Sequence, residues 1–219
     1  MYPREKLRQA LALYAVTDDA WLGERALSDC VEQAIAGGAT FVQLREKEMP
    51  QIAMVLRART IAPVCRKAGV PFVVNDDVEV ARIVEADGVH VGQGDAAVSD
   101  ARAKLGPDAI VGVSVQTVEQ ARAAQEAGAD YLGVGAVFGT PTKPDAADVG
   151  AEGLAAICAA VDIPVVAIGG LNAATIPALA GTGADGVAVV SAIFAAADVR
   201  AATDELLTIT KETLCLETN

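Results

Sequence analysis

The sequence predicts an α/β protein, a single-domain (β/α)8 or TIM barrel over residues 1–219, and three observations lead to this fold class. A short apolar strand recurs eight times along the chain, and helical patterns separate the strands. The strands are apolar at nearly every position, as in parallel sheets that are covered on both faces. The 219 residues, 53% of them hydrophobic, are sufficient for this barrel, which needs roughly 200 residues or more.

The strands are predicted from the apolar runs in chain order. They cover residues 11–17, 40–45, 72–75, 88–91, 110–114, 131–135, 165–168 and 186–190. Helical patterns lie between them, among others at 51–67 and 117–127. A doubly wound open sheet is the competing arrangement, but no GxGxxG motif follows the first strand, which continues into Thr17 and two aspartates.

Five of the connections repeat one pattern, a helix that ends in glycine and leads directly into a strand. The repeated segments begin at Ala34, Cys65, Val84, Gln125 and Ala180. Because glycine suits the left-handed position that ends a helix, we expect a left-handed glycine in each segment. The tail from 198 to 219 either packs as a last helix or frays, and its run of leucine and isoleucine favours packing.

Composition excludes several classes of partner. A formal net charge of -12 argues against nucleic acid and against an anionic membrane surface, and only eight aromatic residues leave little for base stacking. No apolar run approaches the roughly 20 residues of a membrane span, and the early run at 11–16 is too short for a secretion signal, so we expect a cytoplasmic protein. The four cysteines are widely spaced, and we expect reduced core thiols. The sequence leaves open whether the chain forms a homo-oligomer.

Polar side chains collect where the predicted strands end, and in a barrel these carboxyl ends form one rim that carries the chemistry. After the second strand, Gln43, Arg45 and Lys47 share one side, with Leu44 and Glu46 on the other. Cations gathered there on an acidic protein suit an anionic ligand, and arginine can bind phosphate in bidentate fashion. A solvated charge run after a strand explains this segment equally well.

Two aspartates, Asp76 and Asp95, close consecutive strand–helix units. Two carboxylates without a nearby histidine or cysteine suit Mg²⁺, which completes its shell with substrate phosphates and water. Helix capping is the alternative, because Asp76 or Asp77 could cap the next helix and Asp95 the one after.

Two further segments suit phosphate. The connection after the sixth strand is unusually long and contains Gly-Thr-Pro-Thr-Lys at 139–143, although a proline-stiffened turn would also explain it. Gly169, Gly170 and Ser191 follow the seventh and eighth strands, where barrels often bind phosphate through main-chain N–H groups. His90, the only histidine, lies within the fourth strand, and we assign it no catalytic role.

One rim with a basic patch, a predicted Mg²⁺ site and a second phosphate cradle indicates group transfer. The simplest chemistry moves a group from a pyrophosphate ester to a phosphorylated acceptor. Cations and the metal would stabilise the charge that grows on the leaving group.

The motifs, taken together, resemble the thiamine-phosphate synthase family. They are QLREK, NDD, VHVGQGD, GVS, TPTK, GGLN and VAVVS, in the family's order from about residue 13 to about 194. The resemblance implies a transferase that joins 4-amino-5-hydroxymethyl-2-methylpyrimidine diphosphate to 4-methyl-5-(2-phosphoethyl)thiazole and releases pyrophosphate. It also implies a dissociative reaction in which pyrophosphate leaves before the thiazole nitrogen attacks, so that no general base is needed.

The resemblance further implies roles for individual residues. The pyrimidine diphosphate would contact Gln43, Leu44, Arg45, Glu46, Lys47, Asn75, Ser114 and Lys143. The thiazole phosphate would contact Thr140, Pro141, Thr142, Gly170, Val190 and Ser191. Asp76 and Asp95 match the Mg²⁺ ligands, and Arg45, Lys47, Ser114 and Lys143 are the predicted catalytic residues.

Two other functions compete with the synthase. A thiazole tautomerase shares the barrel and the phosphate cradle, but it needs an acid–base residue, typically histidine, and no diphosphate site. A non-catalytic phosphate sensor would not need the full set of charged ligands. The presence of Arg45, Asp76, Asp95 and Lys143 together favours the synthase.

Overall fold

The structure, a computed structural model, describes residues 6–46, 49–93, 95–139 and 149–216, without the side chains of residues 95 and 96. The strands are β1 Leu13–Val16, β2 Phe41–Leu44, β3 Phe72–Asn75, β4 Gly88–Val91, β5 Ile110–Val115, β6 Tyr131–Val134, β7 Val165–Ile168 and β8 Gly186–Val189. All are parallel, and each pairs with its neighbours in chain order until β8 pairs with β1 and closes the barrel. The predicted fold class and the eight predicted strands are thus confirmed.

Helices cover the outside of this barrel. They are α1 Leu7–Ala10, α2 Leu27–Ala36, α3 Gln51–Ala68, α4 Val78–Val84, α5 Asp95–Leu105, α6 Val118–Glu126, α7 Gly150–Cys158, α8 Ser191–Phe194 and α9 Val199–Leu214. Two 3-10 turns, Asp19–Trp21 and Ile176–Leu179, lie after β1 and β7. The helices predicted at 51–67 and 117–127 are present as α3 and α6, and the tail forms α9, whose N-cap is Asp198.

The expected left-handed glycine is present in four of the five repeated segments and absent from one. Gly38, Gly69, Gly128 and Gly183 have positive φ. In the segment that begins at Val84, however, Glu85 takes the left-handed conformation, and the glycine lies inside β4. A Cβ on that glycine, Gly88, would lie 1.8 Å from the main-chain oxygen of Ile110. Close approach of β5, and not the end of a helix, therefore explains this glycine.

The core has two layers because the side chains of each strand alternate in direction. Tyr14, Phe41 and Tyr131 point into the barrel, where their rings meet edge to face at centroid distances of 4.5–6.0 Å. Leu7 and Leu11 belong to the same cluster, so α1 closes the end of the barrel where the strands begin. The alternate strand residues pack outward against the helices.

The thiols are free, but they are not all in the core. Cys30 and Cys65 are buried and Cys158 is half-buried, as expected, whereas Cys215 is exposed at the end of α9. The expectation of a core thiol is therefore wrong for Cys215, because the last helix ends there in a left-handed residue that faces solvent. In the described part of the chain, none of the helices combines the length and the apolar character needed to cross a bilayer.

Candidate active site

A cavity of about 510 Å³ lies at the carboxyl ends of the barrel strands, a volume typical of small-molecule sites. The parallel barrel brings the residues that follow different strands to this one rim. The predicted site residues that line the cavity are Gln43, Arg45, Asn75, Ser114, Gly170, Val190 and Ser191.

The end of β2 supplies an amide and a guanidinium to the cavity. Gln43 is buried inside the barrel, where its side-chain nitrogen donates a hydrogen bond to the hydroxyl of Tyr14. The main-chain N–H of Arg45 donates to the Thr17 hydroxyl at 3.0 Å, which holds the segment after β2 against the segment after β1. The Arg45 guanidinium lies 3.7 Å from the Asp18 carboxylate, and its side chain is 14% exposed. Arg45 is thus held in place at the mouth of the cavity and remains accessible from it.

Leu44 and Glu46 point away from this cavity, as the strand alternation predicts. Leu44 is fully buried between the barrel and the helices, so only its main chain could contact a ligand. Glu46 pairs with Arg57 of α3 at 3.2 Å. Burial, with a smaller contribution from the Asp18 charge, raises the pKa of Glu46 to about 7, although Arg45 opposes the shift. Lys47, the fifth member of this strip, lies outside the described residues.

Two adjacent aspartates after β3 have different roles. The carboxylate of Asp77 accepts a hydrogen bond from the main-chain N–H of Val80 at 2.8 Å and so caps α4. Asp76 does not cap the helix. It is exposed, with a left-handed φ of 61°, and its carboxylate accepts a hydrogen bond from the Asn75 side-chain nitrogen at 2.6 Å. The capping alternative therefore applies to Asp77 and leaves Asp76 available for a ligand.

These residues suit a magnesium ion. Asn75 and Asp76 offer amide and carboxylate oxygens, the hard ligands that Mg²⁺ prefers. Asn75 lines the cavity, whereas Asp76 lines an adjoining pocket that Asn75 also borders. Asp95 begins α5 directly after β4, the strand next to β3, and its side chain is not described. No group of three or more histidine, cysteine or acidic side chains that could hold a metal exists among the described residues. A Mg²⁺ site needs only one or two carboxylates when phosphates and water complete its shell.

The segments after β7 and β8 form the opposite side of the cavity. Gly169 and Gly170 have φ of 101° and 66°. A Cβ on Gly170 would lie 2.8 Å from the Cβ of Phe138, in the connection after β6, so a glycine here lets the two segments approach. Ser191 begins the short helix α8, and the first N–H groups of a helix have no partner within it. Thr140, Pro141, Thr142 and Lys143 lie outside the described residues.

Among the other residues that line the cavity, Tyr14, Trp21 and His90 have polar or aromatic side chains and were not predicted as site residues. Trp21 belongs to the 3-10 turn after β1, and none of the motifs found in the sequence contains it. Tyr14 and His90 lie within strands, whereas the sequence placed the chemistry at the strand ends. Tyr14 and His90 could have been predicted as site residues because each is a polar aromatic residue at an inward position of an otherwise apolar strand.

Comparisons with known proteins agree with the family that the sequence motifs resemble. A family model described as thiamine monophosphate synthase matches residues 13–193. A thiamine-phosphate synthase of Roseiflexus sp. is 50% identical over 195 residues, which cover 89% of this chain and 83% of that protein. The corresponding protein of Moorella thermoacetica is 49% identical over 195 residues, which are 89% of this chain and 93% of that one.

A solved structure supports the same relationship. It is a thiamine phosphate pyrophosphorylase from Pyrococcus furiosus with a TM-score of 0.87 and 42% identity, and the match covers 95% of this chain and 99% of that one. Because both the family model and relatives of nearly half-identical sequence span most of its length, this chain belongs to the thiamine monophosphate synthase family.

Proposed function

We propose that this chain is a thiamine-phosphate synthase, which joins the pyrimidine diphosphate to the thiazole phosphate and releases pyrophosphate. One observation carries the proposal: a single cavity is lined by members of both sets of predicted ligands. Arg45, Asn75 and Ser114 border one part of it, and Gly170 and Ser191 border another. Two phosphorylated substrates bound in the same cavity can react without leaving the protein.

The cationic side of the cavity would bind the diphosphate and stabilise its departure. Arg45 offers a forked donor and Ser114 a hydroxyl, and Lys47 and Lys143 would add positive charge. Cations beside a leaving group stabilise the negative charge that develops on it in the transition state. A well-placed donor contributes about 3 kcal/mol to this stabilisation. The departing pyrophosphate needs no proton removed from the pyrimidine, so the reaction requires no general base. The Gly170 and Ser191 segment, with Val190 and the 140–142 loop, would hold the thiazole phosphate.

Asp76 and Asp95 would hold the Mg²⁺ that the proposed reaction uses, and Asn75 would orient the Asp76 carboxylate through its 2.6 Å hydrogen bond. The ion would supply further positive charge to the diphosphate.

Replacement of Asp76 tests this assignment, and its neighbour provides a matched control. Asp76→Ala should lower turnover by two orders of magnitude or more, because it removes a carboxylate from the metal. Asp77→Ala removes the cap of α4 and should cost about 1 kcal/mol of stability while turnover stays near the parent value. Pyrophosphate release with both substrates and Mg²⁺ is the measurement. Turnover of Asp76→Ala within twofold of the parent would refute the role of Asp76.

The same assay separates the proposal from the two competing functions. A synthase releases pyrophosphate only when both substrates are present, a tautomerase converts its thiazole phosphate alone, and a sensor does neither. The comparisons give no support to the last two. The cytoplasmic location stays a prediction, to be tested by fractionation. Light scattering would determine the oligomeric state, which the sequence leaves open.

A further inference from the structure

A chain of hydrogen bonds crosses the interior of the barrel below the cavity. It runs from Gln43 to Tyr14, then to Tyr131, His90 and Ser114, so five different strands contribute one side chain each. The Tyr14 and Tyr131 hydroxyl oxygens are 2.9 Å apart. His90 Nδ1 lies 2.9 Å from the Tyr131 hydroxyl, and His90 Nε2 lies 2.9 Å from Ser114 Oγ.

The barrel provides space for this chain through two inward-facing glycines. A Cβ on Gly112 would lie 2.1 Å from the Tyr131 ring, and a Cβ on Gly133 would lie 2.9 Å from His90 Cε1. Tyr131 is fully buried, and His90 is 7% exposed at the floor of the cavity. A larger residue at either glycine would displace a member of the chain, so the surrounding strands are shaped to hold it.

The chain has one consistent direction of donation, set by the Gln43 amide. The amide nitrogen donates to the Tyr14 hydroxyl. The distances of the next two bonds fit either direction, but each hydroxyl proton has a partner within the chain only if Tyr14 donates to Tyr131 and Tyr131 donates to His90 Nδ1. Burial raises the pKa of both tyrosines, so both hydroxyls keep their protons at neutral pH. With Nδ1 as acceptor, the imidazole carries its proton on Nε2 and donates it to Ser114 Oγ.

We propose that His90 is a positioning residue, which the buried hydrogen-bond chain holds as the neutral Nε2–H tautomer so that the Ser114 hydroxyl donates its proton into the cavity. Ser114 already accepts from His90 and directs its own proton elsewhere, toward an acceptor oxygen of the diphosphate. The orienting role rests on the proposed function, since it needs a phosphorylated ligand beside Ser114. The tautomer of His90 does not depend on the proposed function, because it follows from hydrogen bonds within the protein.

The single histidine of the chain makes the tautomer directly observable. In the intact protein labelled with ¹⁵N-histidine at pH 7.5, the two ring nitrogens should report an unprotonated Nδ1 and a protonated Nε2. Tyr131→Phe should abolish this preference. Tyr14→Phe should weaken it, because it cuts the chain between Tyr131 and the Gln43 amide that sets the direction of donation. Phe41→Leu, which changes the packing against both tyrosines and removes no hydrogen bond of the chain, is the control and should preserve it. An Nδ1–H tautomer or an imidazolium in the parent protein would overturn the proposal, even if the protein proves to be an active synthase.

Kinetic measurements distinguish an orienting role of His90 from a purely structural one. His90→Leu and Ser114→Ala should each lower kcat/KM for the diphosphate roughly tenfold or more. Because both act through the same hydroxyl, kcat/KM of the double variant should equal that of the less active single variant. His90→Gln, which keeps a side-chain N–H, should recover most of the loss. Multiplicative losses, or no recovery by glutamine, would contradict the orienting role. Absence of pyrophosphate release by the parent protein would instead refute the proposed function. The NMR measurement would then still decide whether His90 has the proposed tautomer.

Discussion

Neighbouring residues of the same type have different roles at this site, and their local conformation determines which. Asp77 has an extended backbone conformation and caps α4, while Asp76 has a left-handed one and presents its carboxylate to solvent. Glycines differ in the same way. Gly69 and Gly170 have nearly equal φ, 69° and 66°, but a Cβ added to Gly69 would have no atom within 4 Å, whereas one added to Gly170 would touch the connection after β6.

This contrast gives a prediction at the residue scale. Gly170→Ala and Gly69→Ala should both cost roughly 1 kcal/mol or more of stability, because each places a Cβ in the left-handed region. Only Gly170→Ala should also raise KM for the thiazole phosphate, by about tenfold, because it pushes Phe138 and its segment away from the cavity. Urea unfolding and steady-state kinetics would check this. Equal KM values for the two variants would contradict the assigned role of Gly170.

Among the elements, the 3-10 turn after β1 and the short helix α8 both border the cavity, and Arg25 joins them. Its guanidinium donates to the main-chain oxygens of Trp21 at 2.8 Å and Leu22 at 3.1 Å on one side. On the other side it donates to the oxygens of Phe194 and of Ala196, the latter at 2.8 Å. A half-buried arginine therefore connects the wall that carries Trp21 with the end of α8.

Removal of this connection should loosen both elements. Arg25→Ala should lower the free energy of unfolding by about 2 kcal/mol, because it removes the side-chain donor from the half-buried main-chain oxygens of Trp21, Phe194 and Ala196. It should also shift the emission of Trp21, the only tryptophan, to longer wavelength and raise KM for the thiazole phosphate several-fold. Arg59→Ala, which removes an exposed arginine of α3, is the control and should change neither property. Parent-like emission and KM in Arg25→Ala would show that the connection does not shape the site.

At the scale of the whole molecule, one buried acid at the end of β2, Glu46, makes stability depend on pH. Glu46 has a side chain that is only 6% exposed, and its pKa is raised from the ordinary 4.5 to about 7. Between these two values the folded protein holds a proton that the unfolded chain has released. The contribution of Glu46 is therefore fully present below pH 4.5 and is lost as the pH rises through about 7.

Glu46→Gln should remove this dependence, because glutamine does not titrate. The variant should gain stability relative to the parent as the pH rises from 5 to 8, by up to about 3 kcal/mol, since one pKa unit corresponds to about 1.4 kcal/mol. The exposed Glu24→Gln serves as the control and should show a constant difference from the parent. Urea unfolding at several pH values is the measurement, and a constant difference for Glu46→Gln would contradict the raised pKa.

Most of the fold could be predicted from the sequence because its causes are local. Apolar runs of four to seven residues mark buried strands, and the eight runs correspond to eight observed strands. Parallel strands bring their carboxyl ends to one rim, so Gln43, Arg45 and Asn75 could be placed together from the order of the strands alone. Lys47, Asp95 and the 140–143 segment could not be compared in the same way, since they or their side chains lie outside the described residues.

Which groups become partners depends on the folded barrel. Tyr14 and Tyr131 are separated by 117 positions, yet their hydroxyls meet inside the barrel, and no local pattern contains that contact. The same holds for the glycine of β4, which the approach of β5 explains, and for the choice between Asp76 and Asp77. Periodicity along a strand is a property of a few consecutive residues, and so the strands and the rim are already specified by the order of the amino acids. Hydrogen-bond partners depend on the closure of the whole ring, and so the buried chain that ends at Ser114 is specified only once all eight strands have come together.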